Sequence, residues 1–145
     1  MNYLTHQLLN PQEIKLVKDN IFLEDLPWED GKKTAGNHAA KVKHNLQLDK
    51  NSNISKKYTE LVEKKILNNV LIKSFALPKR IHGTMFTKSL QGMKYGRHID
   101  NAFMSTGRAD LSFTIFLNEK DKYSGGELLI EGLIQKTNLS LIREA

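Results

Sequence analysis

Tyr95-Gly96-Arg97-His98-Ile99-Asp100 is the stretch on which the reading of this chain turns. In an extended segment side chains alternate between faces, so His98 and Asp100 point the same way with Cα atoms roughly 6.5 Å apart. An imidazole nitrogen and a carboxylate oxygen can then converge on one ion. A His-x-Asp pair with a more distant histidine is the sequence form of a 2-His-1-carboxylate site, which holds Fe(II) and leaves positions open for other ligands. Taken alone, the pair equally describes a surface histidine beside an aspartate in a turn.

The residues on either side have β character. From Lys79 a run through Ile81, Met85 and Phe86 leads into the segment 92–100. Beyond it, Leu111, Phe113, Ile115 and Leu117 alternate with Ser112, Thr114 and Phe116, the strongest strand pattern in the chain. Residues 101–108 between them read as a loop over the site. Residues 118–124 are charged and turn-like, Gly125-Gly126 makes a tight turn into Glu127-Leu128-Leu129-Ile130, and a short strand is predicted over 139–142.

Upstream the periodicity is helical. Asn10 is a good N-cap, Pro11 suits the first helical position and Glu13 stands three residues after the cap. Ile14, Val17 and Ile21 follow at helical spacing, so a helix is predicted over 11–21. Asn51-Ser52-Asn53 opens a second helix, whose stripe of Tyr58, Leu61, Val62, Ile66, Val70 and Leu71 covers a core. It ends before Leu77-Pro78, because a residue preceding proline resists helical geometry. Between the helices, Trp28-Glu29-Asp30-Gly31 is a turn with an aromatic anchor. Residues 34–49 then become a short strand or extended loop, with Val42, His44, Leu46 and Leu48 on one face and Lys43, Asn45 and Gln47 on the other. The two amides line a polar pocket or form a solvent-facing edge; spacing alone fits both.

Helices followed by antiparallel-looking strands predict one α+β domain, with N-terminal helices packed on a sheet that curls into a barrel or jelly roll. A chain of 145 residues suits a single modest core. With no cysteine there are no disulfides, thiolate ligands or cysteine nucleophile. With neither a long apolar run nor a secretory leader, the expectation is a cytoplasmic protein without a membrane partner. The net charge of +6 raises nucleic acid as a partner, but the lysines are scattered and no basic stripe interleaved with aromatics appears.

Several patterns together resemble the PKHD-type hydroxylases, relatives of the prolyl-4-hydroxylase group of Fe(II)/2-oxoglutarate dioxygenases. They are Trp28-Glu29-Asp30-Gly31 with Thr34-Ala35-Gly36; Val42-Lys43 with Asn45 and Gln47; Leu77-Pro78; Gly92, Tyr95 and His98-Ile99-Asp100; Arg108-Ala109-Asp110-Leu111-Ser112; and Gly125-Gly126-Glu127-Leu128. Each is weak, but the ordered set is specific.

The resemblance implies a double-stranded β-helix preceded by helices, with residues 1–76 mainly a helical support and 77–145 the first part of the barrel. It implies His98 and Asp100 as iron ligands, Fe(II) and 2-oxoglutarate as metal and co-substrate, and ascorbate to keep the iron reduced. The reaction implied is hydroxylation of a substrate C–H coupled to oxidative decarboxylation of 2-oxoglutarate, the substrate being a small molecule or a protein side chain. Asn45, Gln47 and Arg108 are the expected substrate pocket.

Two departures accompany the match. The family tyrosine that helps hold 2-oxoglutarate falls at Ser89, leaving Tyr95 to compensate. The distal histidine and the basic partner of the far carboxylate belong to the family's C-terminal part, and no histidine follows Asp100. The resemblance therefore covers about the first two-thirds of an enzyme. A barrel lacking its final strands exposes sheet edges, open to aggregation or to pairing with another chain such as a second copy. The alternative to an enzyme is a non-catalytic binding or scaffold fragment that keeps the fold.

Overall fold

The computed structural model describes residues 4–104, 107–131 and 136–139. Helix α1 (Pro11–Ile21) begins where the sequence places it. The Asn10 side chain accepts from the Glu13 N–H at 2.9 Å, and the Glu13 carboxylate accepts from the Asn10 N–H at 3.0 Å. These reciprocal bonds satisfy two donors that the first turn leaves open. Glu13 also pairs with Lys65 on the facing helix, and these contacts hold its carboxyl below the usual range.

Strand β1 (Trp28–Asp30) runs into a 3-10 turn at Gly31–Thr34 and the single-turn helix α2 (Asn37–Ala40). Two short strands follow, β2 (Lys43–His44) and β3 (Leu46–Leu48). The second helical region is α3 (Asn53–Asn68) and α4 (Val70–Ala76), not one unbroken helix. Asn69 adopts extended backbone, and its side chain accepts from the Ile72 N–H at 3.0 Å, starting a new helix. A short polar side chain that caps competes with the helix interior in this way. The break resets the stripe, so Val70 and Leu71 are exposed and do not cover the core. Leu77, before the proline, closes α4 in left-handed geometry with φ +45°.

The remaining strands are β4 (Thr87–Lys88), β5 (Lys94–Tyr95), β6 (Phe103–Met104), β7 (Gly107–Arg108), β8 (Leu128–Glu131) and β9 (Lys136–Leu139). They pair antiparallel as a three-stranded sheet β1-β3-β4 and the pairs β2-β5, β6-β7 and β8-β9. The fold is α+β. Val17 and Ile21 of α1, Tyr58 of α3, Leu48 of β3 and Phe86 form the core, with Leu26, Trp28, Ile54, Leu61 and Leu117 packed around them.

Other sequence expectations change, and Trp28–Asp30, read as part of a turn, is strand β1. Leu111–Leu117 is not a strand. Alternation gives it an apolar face, but a strand also needs a ladder for its N–H and C=O groups, and no partner strand lies among the described residues. Residues 101–108 are not simply a loop, because Phe103 pairs with Arg108 and Met104 with Gly107. Of the strand expected over 139–142, Leu139 is the last described residue of β9 (Lys136–Leu139), and residues 140–142 lie outside the described ones.

Gly31 is buried where the turn after β1 meets the β2–β3 connection. Its N–H donates to the Asn45 carbonyl at 2.9 Å, and a Cβ there would stand 2.0 Å from Asn45 Oδ1. Gly31→Ala is expected to lower stability by about 1–3 kcal/mol through overpacking. Adding Asn45→Ala should recover part of that loss, read from urea midpoints. Fully additive losses would show that Asn45 is not the obstacle.

Candidate functional site

The β2–β5 pair sets the Lys43 backbone opposite Tyr95. Just past β5, Gly96 donates its N–H to the Val42 carbonyl at 2.8 Å, and a Cβ on it would meet Val42 Cβ at 3.0 Å. This close approach turns the chain so that the His98 ring lies back on Tyr95. The ring centroids are 3.8 Å apart and the planes 10° from parallel. His98 and Asp100 therefore lie beyond the strand end. Their convergence comes from this turn and the stack, not from the strand pleat that their spacing suggests. Ile99 between them is 94% exposed.

His98 Nδ1 lies 2.8 Å from the Gly96 carbonyl oxygen. A carbonyl only accepts, so Nδ1 carries a proton, and whenever the ring is neutral Nε2 presents a lone pair. That nitrogen faces Asp100 Oδ1 at 3.3 Å. The other carboxylate oxygen, Oδ2, accepts the Ser112 hydroxyl at 2.5 Å. A neutral imidazole nitrogen and an ionised carboxylate are both acceptors, and they face each other stably only around a proton or a cation. Each is oriented from behind by a hydrogen bond, as outer partners orient metal ligands. Among the described residues no group of three His, Cys, Asp or Glu side chains can hold a metal ion. His38 and Ala39 of α2 line an open cleft with Arg97, His98 and Ile99. Arg97 is tied to β8 by Glu131, at 2.7 Å.

Behind the stack is a buried polar row. Lys43 is 5% exposed, Asn45 7% and Gln47 2%, so the amide-bearing face is the inner one and the solvent-edge reading fails. Lys43 Nζ lies 5.0 Å from the Tyr95 ring centroid and donates to Thr34 Oγ1 at 3.3 Å. Thr34 donates in turn to Gln47 Oε1 at 2.5 Å, and Gln47 Nε2 reaches Met85 Sδ at 2.7 Å. Asn45 Oδ1 is buried with no hydrogen-bond partner among the described residues. Burial pushes the Lys43 ammonium below its usual range, partly opposed by Asp30. Burial, and then the Asp100 carboxylate, pushes the Tyr95 phenol up.

The structure thus brings together Tyr95, His98 and Asp100, with Lys43, Asn45 and Gln47 in the layer behind. The two amides do not line the His98 cleft. Ser89 is exposed after β4, and Arg108 is exposed on β7, with its Nε 2.6 Å from Asp110 Oδ1; neither lines that cleft. Lys43, Ser112 and His38 were given no site role in the sequence reading. Lys43 had a signal, since it shares the parity of Asn45 and Gln47. Ser112 had one in its alternation with apolar neighbours, while His38 had none.

No family model matches the chain. Over 141 residues, 97% of its length, it is 81% identical to a PKHD-type hydroxylase of Prochlorococcus marinus strain MIT 9215. It is 62% identical over the same span to one of strain MIT 9515 and 50% identical to one of strain NATL2A. Over nearly its whole length the chain is thus similar to PKHD-type hydroxylases. It spans 64% of the length of each of these relatives.

The stack has a direct spectroscopic consequence. The His98 ring protons should resonate upfield of the other histidines, inside the Tyr95 ring current, and return to ordinary positions in Tyr95→Leu. Unchanged His98 shifts in that variant would show that the rings do not stack in solution.

Proposed function

We propose that this chain is the N-terminal part of an Fe(II)- and 2-oxoglutarate-dependent hydroxylase domain of the cytoplasm. The observation that supports it most is the approach of His98 Nε2 to Asp100 Oδ1, 3.3 Å apart and each residue fixed from behind. A neutral imidazole and a carboxylate are the donor types that non-haem Fe(II) takes from a facial triad. The residues present fit two of its three protein positions. The complete domain would supply the third, together with strands that close the jelly roll around Leu111–Leu117.

Bound Fe(II) with 2-oxoglutarate and O2 supplies the oxidising power for C–H hydroxylation, and ascorbate keeps the metal reduced. This chain's residues do the positioning. Gly96 O keeps the His98 proton on Nδ1, and Ser112 turns the Asp100 carboxylate so that Oδ1 faces the imidazole. Tyr95 fixes the plane of the His98 ring, and its phenol stays protonated as a donor toward a bound anion. Ser89, in its exposed position, contributes little to 2-oxoglutarate binding. Asn45 and Gln47 support the site from the buried layer, and Arg108 is a surface contact for a small-molecule or protein side-chain substrate.

A second reading is favoured by the lack of a three-ligand group among the described residues: a scaffold that keeps the fold without the reaction. Succinate formation separates the two. The 145-residue chain should give no succinate with Fe(II), 2-oxoglutarate and ascorbate. Joined to the C-terminal third of the MIT 9215 relative it should turn over. His98→Ala in that fusion should abolish succinate, while Ser112→Ala should weaken metal binding roughly tenfold to a hundredfold. A folded fusion that makes no succinate supports the scaffold.

A further inference from the structure

We infer that the outer face of α4 and the turn that follows it form a docking surface for an anionic lipid bilayer. This surface does not depend on the hydroxylase reading.

The lysines of the chain are scattered, but its acids are not. Residues 64–99 contain eight Lys and Arg and no Asp or Glu, while in the rest of the chain acids outnumber Lys and Arg. The whole net charge of +6 therefore comes from this one stretch. Helix α4 (Val70–Ala76) lies inside it, with Lys73 on the helix and Lys79 and Arg80 just beyond. Lys65, before it, is paired with Glu13, whereas Lys73 and Lys79 have no ion-pair partner among the described residues.

The same helix turns its apolar residues outward. The Asn69 cap restarts the helix out of step with the α3 stripe. Ile72 and Ala76 are half-buried, while Val70 is 77% exposed, Leu71 46%, Phe75 42% and Leu77 82%. By helical geometry Val70, Leu71 and Phe75, with Lys73 and Ser74, share the arc away from Ile72 and Ala76, and Leu77 follows at the helix end. Exposed apolar side chains flanked by lysines are the composition of an interfacial helix. Its apolar residues enter the acyl boundary while lysine stems reach back to the headgroups. Seven residues make a helix only about 10 Å long, so insertion alone is weak and the cations supply the rest. No helix among the described residues is long and apolar enough to cross a membrane, and a surface contact needs none.

Two other occupants fit less well. A second copy docked on the same patch about a two-fold axis would set positive charge against positive charge. An acidic peptide helix docks in a groove, and α4 residues line neither of the two principal clefts.

Vesicle co-sedimentation tests the surface, with phosphatidylcholine alone and with equal parts of phosphatidylcholine and phosphatidylglycerol. The 145-residue chain should bind the mixed vesicles roughly tenfold or more tightly than the neutral ones, and added salt should weaken that binding. Val70→Ser with Leu77→Asn removes the two most exposed side chains of the face and keeps a residue that tolerates positive φ at the helix end. This pair should weaken binding roughly tenfold. Lys73→Gln with Lys79→Gln should weaken it as much, and Leu111→Ser, exposed elsewhere, should bind as the parent does. Circular dichroism checks that the helices remain; if the first pair does not fold, the lysine pair decides. No binding to mixed vesicles overturns the inference. So does binding that survives Val70→Ser with Leu77→Asn, which marks only the general attraction of a basic protein. Self-association lost in that variant, without vesicle binding, assigns the face to a second copy instead. Vesicle binding lost when the C-terminal third of the MIT 9215 relative is joined to the chain shows α4 to be covered in the longer protein, and also overturns it.

Discussion

The site depends on how closely Gly96 approaches Val42. With hydrogen as its side chain, Gly96 donates to the Val42 carbonyl at 2.8 Å and then turns its own carbonyl to His98 Nδ1. One residue therefore closes the β2–β5 pair and selects the imidazole tautomer. Any larger side chain would press on Val42 Cβ, and the His98 ring would lose both its carbonyl partner and its stack on Tyr95. The catalytic interest of His98 follows from this backbone event, because only the Nδ1–H tautomer leaves Nε2 free to ligate.

Around that turn the polar and apolar halves divide the work. The apolar core joins α1 and α3 to the three-stranded sheet through Val17, Ile21, Tyr58, Leu48 and Phe86. The next layer is Lys43, Thr34 and Gln47, buried and linked by hydrogen bonds. A buried polar row is costly unless it is satisfied, and it specifies geometry when it is. Here it fixes the face of β2 that meets Tyr95. Outside it, His98 and Asp100 are exposed residues.

Much of this was legible in the sequence where a local rule acts alone. The Asn10–Glu13 capping box and Pro11 place α1 to the residue. The stop at Leu77-Pro78 follows from backbone sterics, whereas His98 and Asp100 face each other through a turn and not through the strand pleat that their spacing suggests. What was not legible depends on distant partners. Leu111–Leu117 alternates like a strand, yet alternation does not supply a ladder. Asn69 reads as one more residue of a helix until its side chain is seen to cap the next one. The polar parity of Lys43, Asn45 and Gln47 was read without knowing which face is inner, since hydropathy favours the side of Leu46 and Leu48. Burial of a lysine is settled by tertiary packing, which no window of sequence contains.

The most direct test of this account is where a divalent ion binds. Mn(II) added below one equivalent to the 145-residue chain should broaden the His98 ring signals first, with Ser112 next, and far more than those of His6, His44 and His82. Asp100→Asn should remove that selectivity. Broadening spread evenly over the histidines, or unaffected by Asp100→Asn, would contradict a metal-binding pair at His98 and Asp100.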